Sequence, residues 1–209
     1  MTEETRKALL VVDVQNDFCP GGALAVKNGD LVIESLNRIT RLFDQKGYSL
    51  FFSRDWHPHT TKHFKDFGGL WPVHCVRTTW GAQFHPNLQI PSSAYIISKG
   101  YGQDDDGYSP FGGAYLRDDD WPLSLNILLS NTNEIYIGGL ATDYCVKSSV
   151  LDALKLVRDP KHPLEKAYLL TDACRAVNIK PGDGALALNE MENAGVQFIT
   201  TDEVIRQSR

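Results

Sequence analysis

Apolar residues fall in short continuous runs: Ala8 to Val14, Tyr48 to Trp56, Tyr95 to Ser98, Glu134 to Leu140, Ala167 to Ala173 and Val196 to Thr201. Most of these runs do not alternate with polar residues, which marks strands buried on both faces. Between several of them the apolar spacing changes to three and four. Val32, Leu36, Ile39 and Phe43 form one such stripe, with Asp30 as N-cap and Gly47 as the stop. Val146, Val150, Ala153 and Val157 form a second, preceded by Thr142 and Asp143 as capping candidates. A third runs from Pro181 through Ala187, Met191 and Ala194 to Gly195. Strands alternating with helices predict an α/β domain whose parallel sheet is covered on both faces, with ligands outside the carboxyl ends of the strands.

Two stretches interrupt this rhythm. Trp56 to Ser92 is rich in His, Pro, Gly and Trp, and Gly100 to Ser124 carries "QDDDGYSPFGG" and "RDDDWP". Loops of this length are usually functional or disordered, and the aromatic content of the first favours function. Both Asp-Asp-Asp runs read as solvated loop charge. No repeat or linker divides the chain, so its 209 residues are expected to form one domain, 1–209.

Composition narrows the partners. A hydrophobic content of 42%, a charged content of 22% and a formal net charge of −5 fit a soluble protein without a basic nucleic-acid surface. The first apolar run is too short to span a bilayer and lacks a convincing cleavage site, so no membrane partner and a cytoplasmic location are expected. Four cysteines, Cys19, Cys75, Cys145 and Cys174, contain no CxxC pair, which argues against a disulfide framework and against a cysteine zinc site.

Candidate chemistry collects at the strand ends. Asp13 closes the first strand, and Asp17 and Phe18 extend its exit loop. Alone, Asp13 reads more readily as the cap of the following turn than as a catalytic group. Asp55 and His57 end the second strand, with His63, His74 and a spare His59 in the loop that follows. Imidazoles with one carboxylate form a mixed donor set for a divalent transition metal such as zinc, iron or manganese. Cys75, directly after His74, is expected to point the other way. Lys99 lies just past the third strand, where it could favour the anion of a nearby thiol, although a surface lysine is the ordinary alternative. Cys145 follows "GGLAT" at a strand-to-helix junction, where free N–H groups favour negative charge. On local grounds its packing and nucleophile readings are evenly matched.

Taken together, "VVDVQNDFCPGGAL", "RDWHP", "WPVHCV", "SKG", "GGLATDYCVKSSVLDAL" and "TDACRAVN" resemble, in the same order and over nearly the whole chain, the nicotinamidase/pyrazinamidase family of isochorismatase-like cysteine hydrolases. The resemblance implies a three-layer, doubly wound, six-stranded parallel sheet flanked by helices, and a triad of Asp13, Lys99 and Cys145. It also implies one divalent metal ion, zinc first with iron or manganese as alternatives, held by Asp55, His57 and His74. His63 joins them in relatives with its spacing. A cis peptide at Leu140–Ala141 would aim the Ala141 and Cys145 amides into one oxyanion hole, and Phe18, Trp71 and Leu140 would contact the substrate. The implied activity is conversion of nicotinamide to nicotinate and ammonia in NAD salvage, with pyrazinamide as a further substrate. "FGGAYLRDDDWPLSLNILLSNTN" and "VRDPKHPLEKAY" depart from the family pattern; they bear on surface shape and on contacts within a homo-oligomer, not on the triad.

Three rival readings share some of these residues. Other amidohydrolases of the fold generally lack the "DWH" and "WPVHC" motifs. A non-haem iron oxygenase would use the same two-histidine, one-carboxylate set but gives Cys145 no role and clashes with the strand–helix alternation. A silent binding protein would not need a complete triad.

Overall fold

The computed structural model describes residues 5–116 and 122–208; most of the second acidic run, "RDDDW" at 117–121, lies outside the described residues. The chain builds one seven-stranded sheet from β1 (Lys7–Val12), β2 (Ser49–Asp55), β3 (Tyr95–Lys99), β4 (Ala114–Tyr115), β5 (Glu134–Leu140), β6 (Lys166–Arg175) and β7 (Gln197–Ile199). Their order across the sheet is β4-β3-β2-β1-β5-β6-β7. All six expected strands pair in parallel. The seventh, β4, adds an antiparallel edge, pairing Ile97 with Tyr115 and Ser98 with Ala114. Two residues carry no periodic signal, which is why the hydrophobic pattern does not reveal it.

Helices α1 (Val32–Gln45), α2 (Leu125–Leu128), α3 (Lys147–Arg158), α4 (Asp183–Ala194) and α5 (Thr201–Gln207) complete the fold. Alternate residues of β1 feed two cores. Leu9 and Val11 join Leu36, Ile39 and Phe43 of α1, with Val204 of α5, on one face. Ala8, Leu10 and Val12 join Val150 and Ala153 of α3, with Met191 of α4, on the other. β1 is buried on both faces because both its side-chain sets are apolar.

The expected caps are corrected. Asp30 sits inside a short 3₁₀ turn, Gly29–Leu31, and does not cap α1. Thr142 and Asp143 do not cap α3 either: residues Thr142–Val146 form a π-helical turn running into it. The Ala141 carbonyl takes the N–H groups of Tyr144 and Val146, both at 3.1 Å. The Asp143 carboxylate instead accepts from the amides of Val177 at 2.9 Å and Asn178 at 2.8 Å, fastening the end of β6 to this turn. Helix α5, which the apolar periodicity does not flag, starts at a capping box of Thr200 with Glu203.

The strand order reverses at β1, whose neighbours β2 and β5 lead away on opposite sides. Ligands of such sheets bind at the carboxyl ends of the strands flanking that reversal. Gly139 keeps β1 and β5 close there: its φ is +127°, and a Cβ would fall 2.1 Å from the Val12 carbonyl oxygen.

Candidate active site

Asp13, Asp55, Lys99 and Cys145 lie at the carboxyl ends of β1, β2, β3 and β5, and converge although they are far apart in sequence. Asp13 is fully buried with φ of 50°. Its amide donates to the Ser53 carbonyl at 3.1 Å, and the Ser53 hydroxyl donates to its Oδ1 at 2.7 Å. Lys99 is no surface lysine: it is 1% exposed. Its Nζ lies 2.7 Å from Asp13 Oδ2, donates to Asp55 Oδ1 and to the Gly107 carbonyl at 2.5 Å, and sits 3.5 Å from Cys145 Sγ.

The charges follow from burial and pairing. Burial opposes the Lys99 ammonium, but Asp13 and Asp55 outweigh it and hold its pKa well above the ordinary value. Asp55 is also penalised by burial, and Lys99 followed by His57 more than compensates, holding it well below the usual carboxylate range. Asp13 is pushed up to about 6, chiefly by burial, with Lys99 pulling back and Asp55 adding to the rise. The same surroundings set the state of Cys145. Burial raises its pKa well above that of a free thiol, and Lys99, which lowers it, does not offset burial together with Asp13 and Asp55. The resting group is a thiol beside a carboxylate of raised basicity.

Next to this group stand His57, His63 and His74, all buried, with one ring nitrogen of each within 4.8 Å of the others. Every Nδ1 has a partner: Gly100 O at 3.2 Å for His57, Asp106 Oδ1 at 3.1 Å for His63, and Pro72 O at 2.7 Å for His74. Each partner is an acceptor, so each Nδ1 carries the hydrogen and each Nε2 keeps its lone pair. Asp55 Oδ2 completes the group, 3.6 Å from His57 Nε2 and 3.9 Å from His74 Nε2. The fully buried His57 Nε2 has no hydrogen-bond partner among the described residues. A buried nitrogen is not normally left unpaired, and such a donor set fits a divalent cation. Burial also lowers the pKa of His63, and that of His74 to about 4, keeping both neutral as metal ligands must be. The neighbouring cluster of Asp13, Asp55 and Cys145 is less suited to an ion, because the Lys99 ammonium already supplies its positive charge.

A small cavity opens above both groups. Cys145 and Ala141 form one part of its wall, Asp55, His63 and His74 another, and Phe18, Trp71, Tyr108 and Tyr144 enclose it with aromatic surface. Its aromatic walls suit one flat ring. The Leu140–Ala141 peptide is cis, as the resemblance implies. Among the described residues the Ala141 N–H takes no backbone carbonyl.

Residues 7–203 match the family profile of the isochorismatase domain. The chain belongs to the isochorismatase family. A nicotinamidase of Escherichia coli K12 is 39% identical over 213 residues, covering 93% of this chain and 94% of the relative. Among solved structures, the pyrazinamidase of Pyrococcus horikoshii in complex with zinc has a TM-score of 0.80 at 40% identity, covering 93% of this chain and 99% of that one. The L. infantum PnC1 in complex with nicotinate has a TM-score of 0.78 at 30% identity, covering 95% and 94%.

Of the residues expected to contact a substrate, Phe18 and Trp71 line the cavity and Leu140 does not. Leu140 still lies in β5 and packs into the core on the α1 side, 3.3 Å from where a Cβ on Gly29 would stand. The chain turns into the cavity only at Ala141. Sequence reasoning missed Tyr108, whose hydroxyl accepts from Trp71 Nε1 at 2.9 Å, and Tyr144, whose ring meets Trp71 edge-on at 4.8 Å between centroids. It also missed Gln15, whose amide nitrogen donates to the Asp55 and Ala82 carbonyls while its oxygen accepts from the Asp55 amide, pinning β1 to the metal loop. Tyr144 and Gln15 lie inside the motifs "GGLATDYCVKSSVLDAL" and "VVDVQNDFCPGGAL", whereas Tyr108 stands in an irregular loop with no signal of its own.

Proposed function

We propose that the chain hydrolyses nicotinamide to nicotinate and ammonia, accepts pyrazinamide as well, and acts as one hydrolase domain. The observation that carries this reading is the Cys145 thiol, in contact with a buried Asp13–Lys99 pair and sharing one small aromatic cavity with His63 and His74, which group with the buried His57 just behind the cavity wall. In this reading Asp55, His57, His63 and His74 hold one divalent ion, zinc by analogy with the Pyrococcus enzyme. When bound, such an ion supplies a Lewis-acidic point for the pyridine nitrogen.

Phe18 and Trp71 hold the flat ring by stacking, which sets the carboxamide over Cys145. Asp13 takes the thiol proton, Lys99 steadies the charges, and sulfur attacks the amide carbon. The oxyanion that forms is held by the Ala141 and Cys145 amides, a type of donor whose removal costs about 3 to 4 kcal/mol. Asp13 passes its proton to the departing ammonia, leaving a thioester. Water then attacks that carbonyl while Asp13 takes one of its protons, and nicotinate leaves as the thiol is restored.

An ammonia-release assay tests the proposal. Turnover of nicotinamide is expected; release from some other small amide with none from nicotinamide would sink the substrate assignment. Stripping the metal with a chelator should lower kcat/KM by about 10²-fold through loss of ring orientation, with circular dichroism unchanged. Full activity of a metal-free preparation would count against the ion's role.

The pH profile follows from Asp13. A base must be deprotonated to accept the thiol proton, and its pKa is raised to about 6. Activity is therefore present above that pH and lost as pH falls through it, by about tenfold per unit in kcat/KM. A profile flat down to pH 4 would exclude Asp13 as the base.

A further inference from the structure

The acidic run 104–106 reads in sequence as solvated charge, yet each of its carboxylates has a partner. Asp104 pairs with Lys62 at 2.6 Å, Asp105 Oδ1 accepts from the Gly107 amide at 2.9 Å, and Asp106 Oδ1 stands 3.1 Å from His63 Nδ1. Further bonds lace the two loops together: the Lys62 amide and the Thr61 hydroxyl both donate to the Gln103 carbonyl, at 2.8 and 3.2 Å, and Gln103 Nε2 donates to Thr60 Oγ1 at 2.8 Å. The acidic loop is fastened across the loop that carries His63.

We infer that Asp106 is a positioning residue for the metal centre, holding His63 Nδ1–H so that Nε2 is presented to His57 and His74. The inference rests on the reading of His63 as a ligand. A carboxylate oxygen only accepts, so it fixes the tautomer as well as the ring angle, and it raises the basicity of the opposite nitrogen. His57 and His74 are held in the same way by backbone carbonyls, Gly100 O and Pro72 O, which no substitution removes. His63 alone of the three depends on a side chain. That side chain is 70% exposed whereas the His63 side chain is 4% exposed, so Asp106 can be changed without opening the core.

The test is Zn²⁺ affinity of the full-length chain, measured by competition with a chromophoric chelator. Asp106→Ala is expected to weaken binding about 10-fold, as loss of a ligand's outer partner commonly does. Asp106→Asn, whose amide oxygen can still accept from Nδ1, should recover most of the affinity. Asp104→Ala, which cuts the Lys62 pair on the same loop, should leave it unchanged. On a His63→Ala background, Asp106→Ala should add nothing, since the two residues act as one unit. Wild-type affinity in Asp106→Ala alongside a weakened His63→Ala would overturn the positioning role and leave the ligand reading standing. Equal weakening by Asp104→Ala would also overturn it, assigning the effect to loop anchoring. Wild-type affinity in His63→Ala would instead remove His63 from the ligands, and the inference with it.

Discussion

Cys145→Ala is expected to fold, to bind Zn²⁺ as tightly as the parent chain, and to lose at least about 10⁴-fold in kcat on nicotinamide, the scale seen when a covalent nucleophile is removed. Three structural facts separate these outcomes. The sulfur belongs to the apolar cluster beneath α3, where loss of one small atom costs only about 1 kcal/mol. The paired imidazoles do not include it, so the metal site keeps its donors. Lys99 keeps Asp13, Asp55 and Gly107 as partners once the thiol is gone. Zinc content, a melting curve and ammonia release on one preparation check all three. Ammonia release at the parental rate would rule out the thioester route.

How far the site could be read in advance depended on whether position along a strand was enough. Asp13 and Asp55 were legible because each closes an apolar run, and Cys145 because it opens the turn beyond another; the ends of parallel strands meet. Lys99 was legible in place but not in character. Its burial comes from the Gly107 carbonyl and from Gly113, where a Cβ would lie 3.1 Å from that of Lys99, and both belong to the segment leading to β4. Leu140 falls outside the cavity although the end of its run was read correctly, because successive side chains of a strand meet opposite faces and that of Leu140 meets the α1-side core. Tyr108 and Asp106 stayed hidden for a different reason. Their partners Trp71 and His63 are 37 and 43 positions away, across two irregular loops, and periodicity says nothing about how loops fold over one another.

Asp13→Asn and Lys99→Met should part company in stability while agreeing in activity. Both are expected to cost about 10³-fold or more in kcat, the first by removing the proton acceptor and the second by removing the charge that holds the carboxylates in place. Their effects on folding follow from what each leaves behind. With Asn at position 13, the ammonium keeps Asp55 and the Gly107 carbonyl, and a carboxylate already pushed toward its neutral form by burial is replaced by a neutral amide of the same shape. The melting temperature should hold to within a few degrees. With Met at position 99, Asp13 and Asp55 face each other fully buried without their shared cation. Removing one partner of a buried ion pair commonly costs about 3 to 5 kcal/mol, because the charge left behind is uncompensated. Lys99→Met is therefore expected to be the far less stable protein, and its loss should ease as pH falls and Asp13 takes up a proton. Bound Zn²⁺ would ease it too, by drawing on Asp55, so the comparison belongs on metal-stripped chains. Equal melting temperatures for the two variants at pH 8 would mean that Lys99 is not the charge on which this cluster folds.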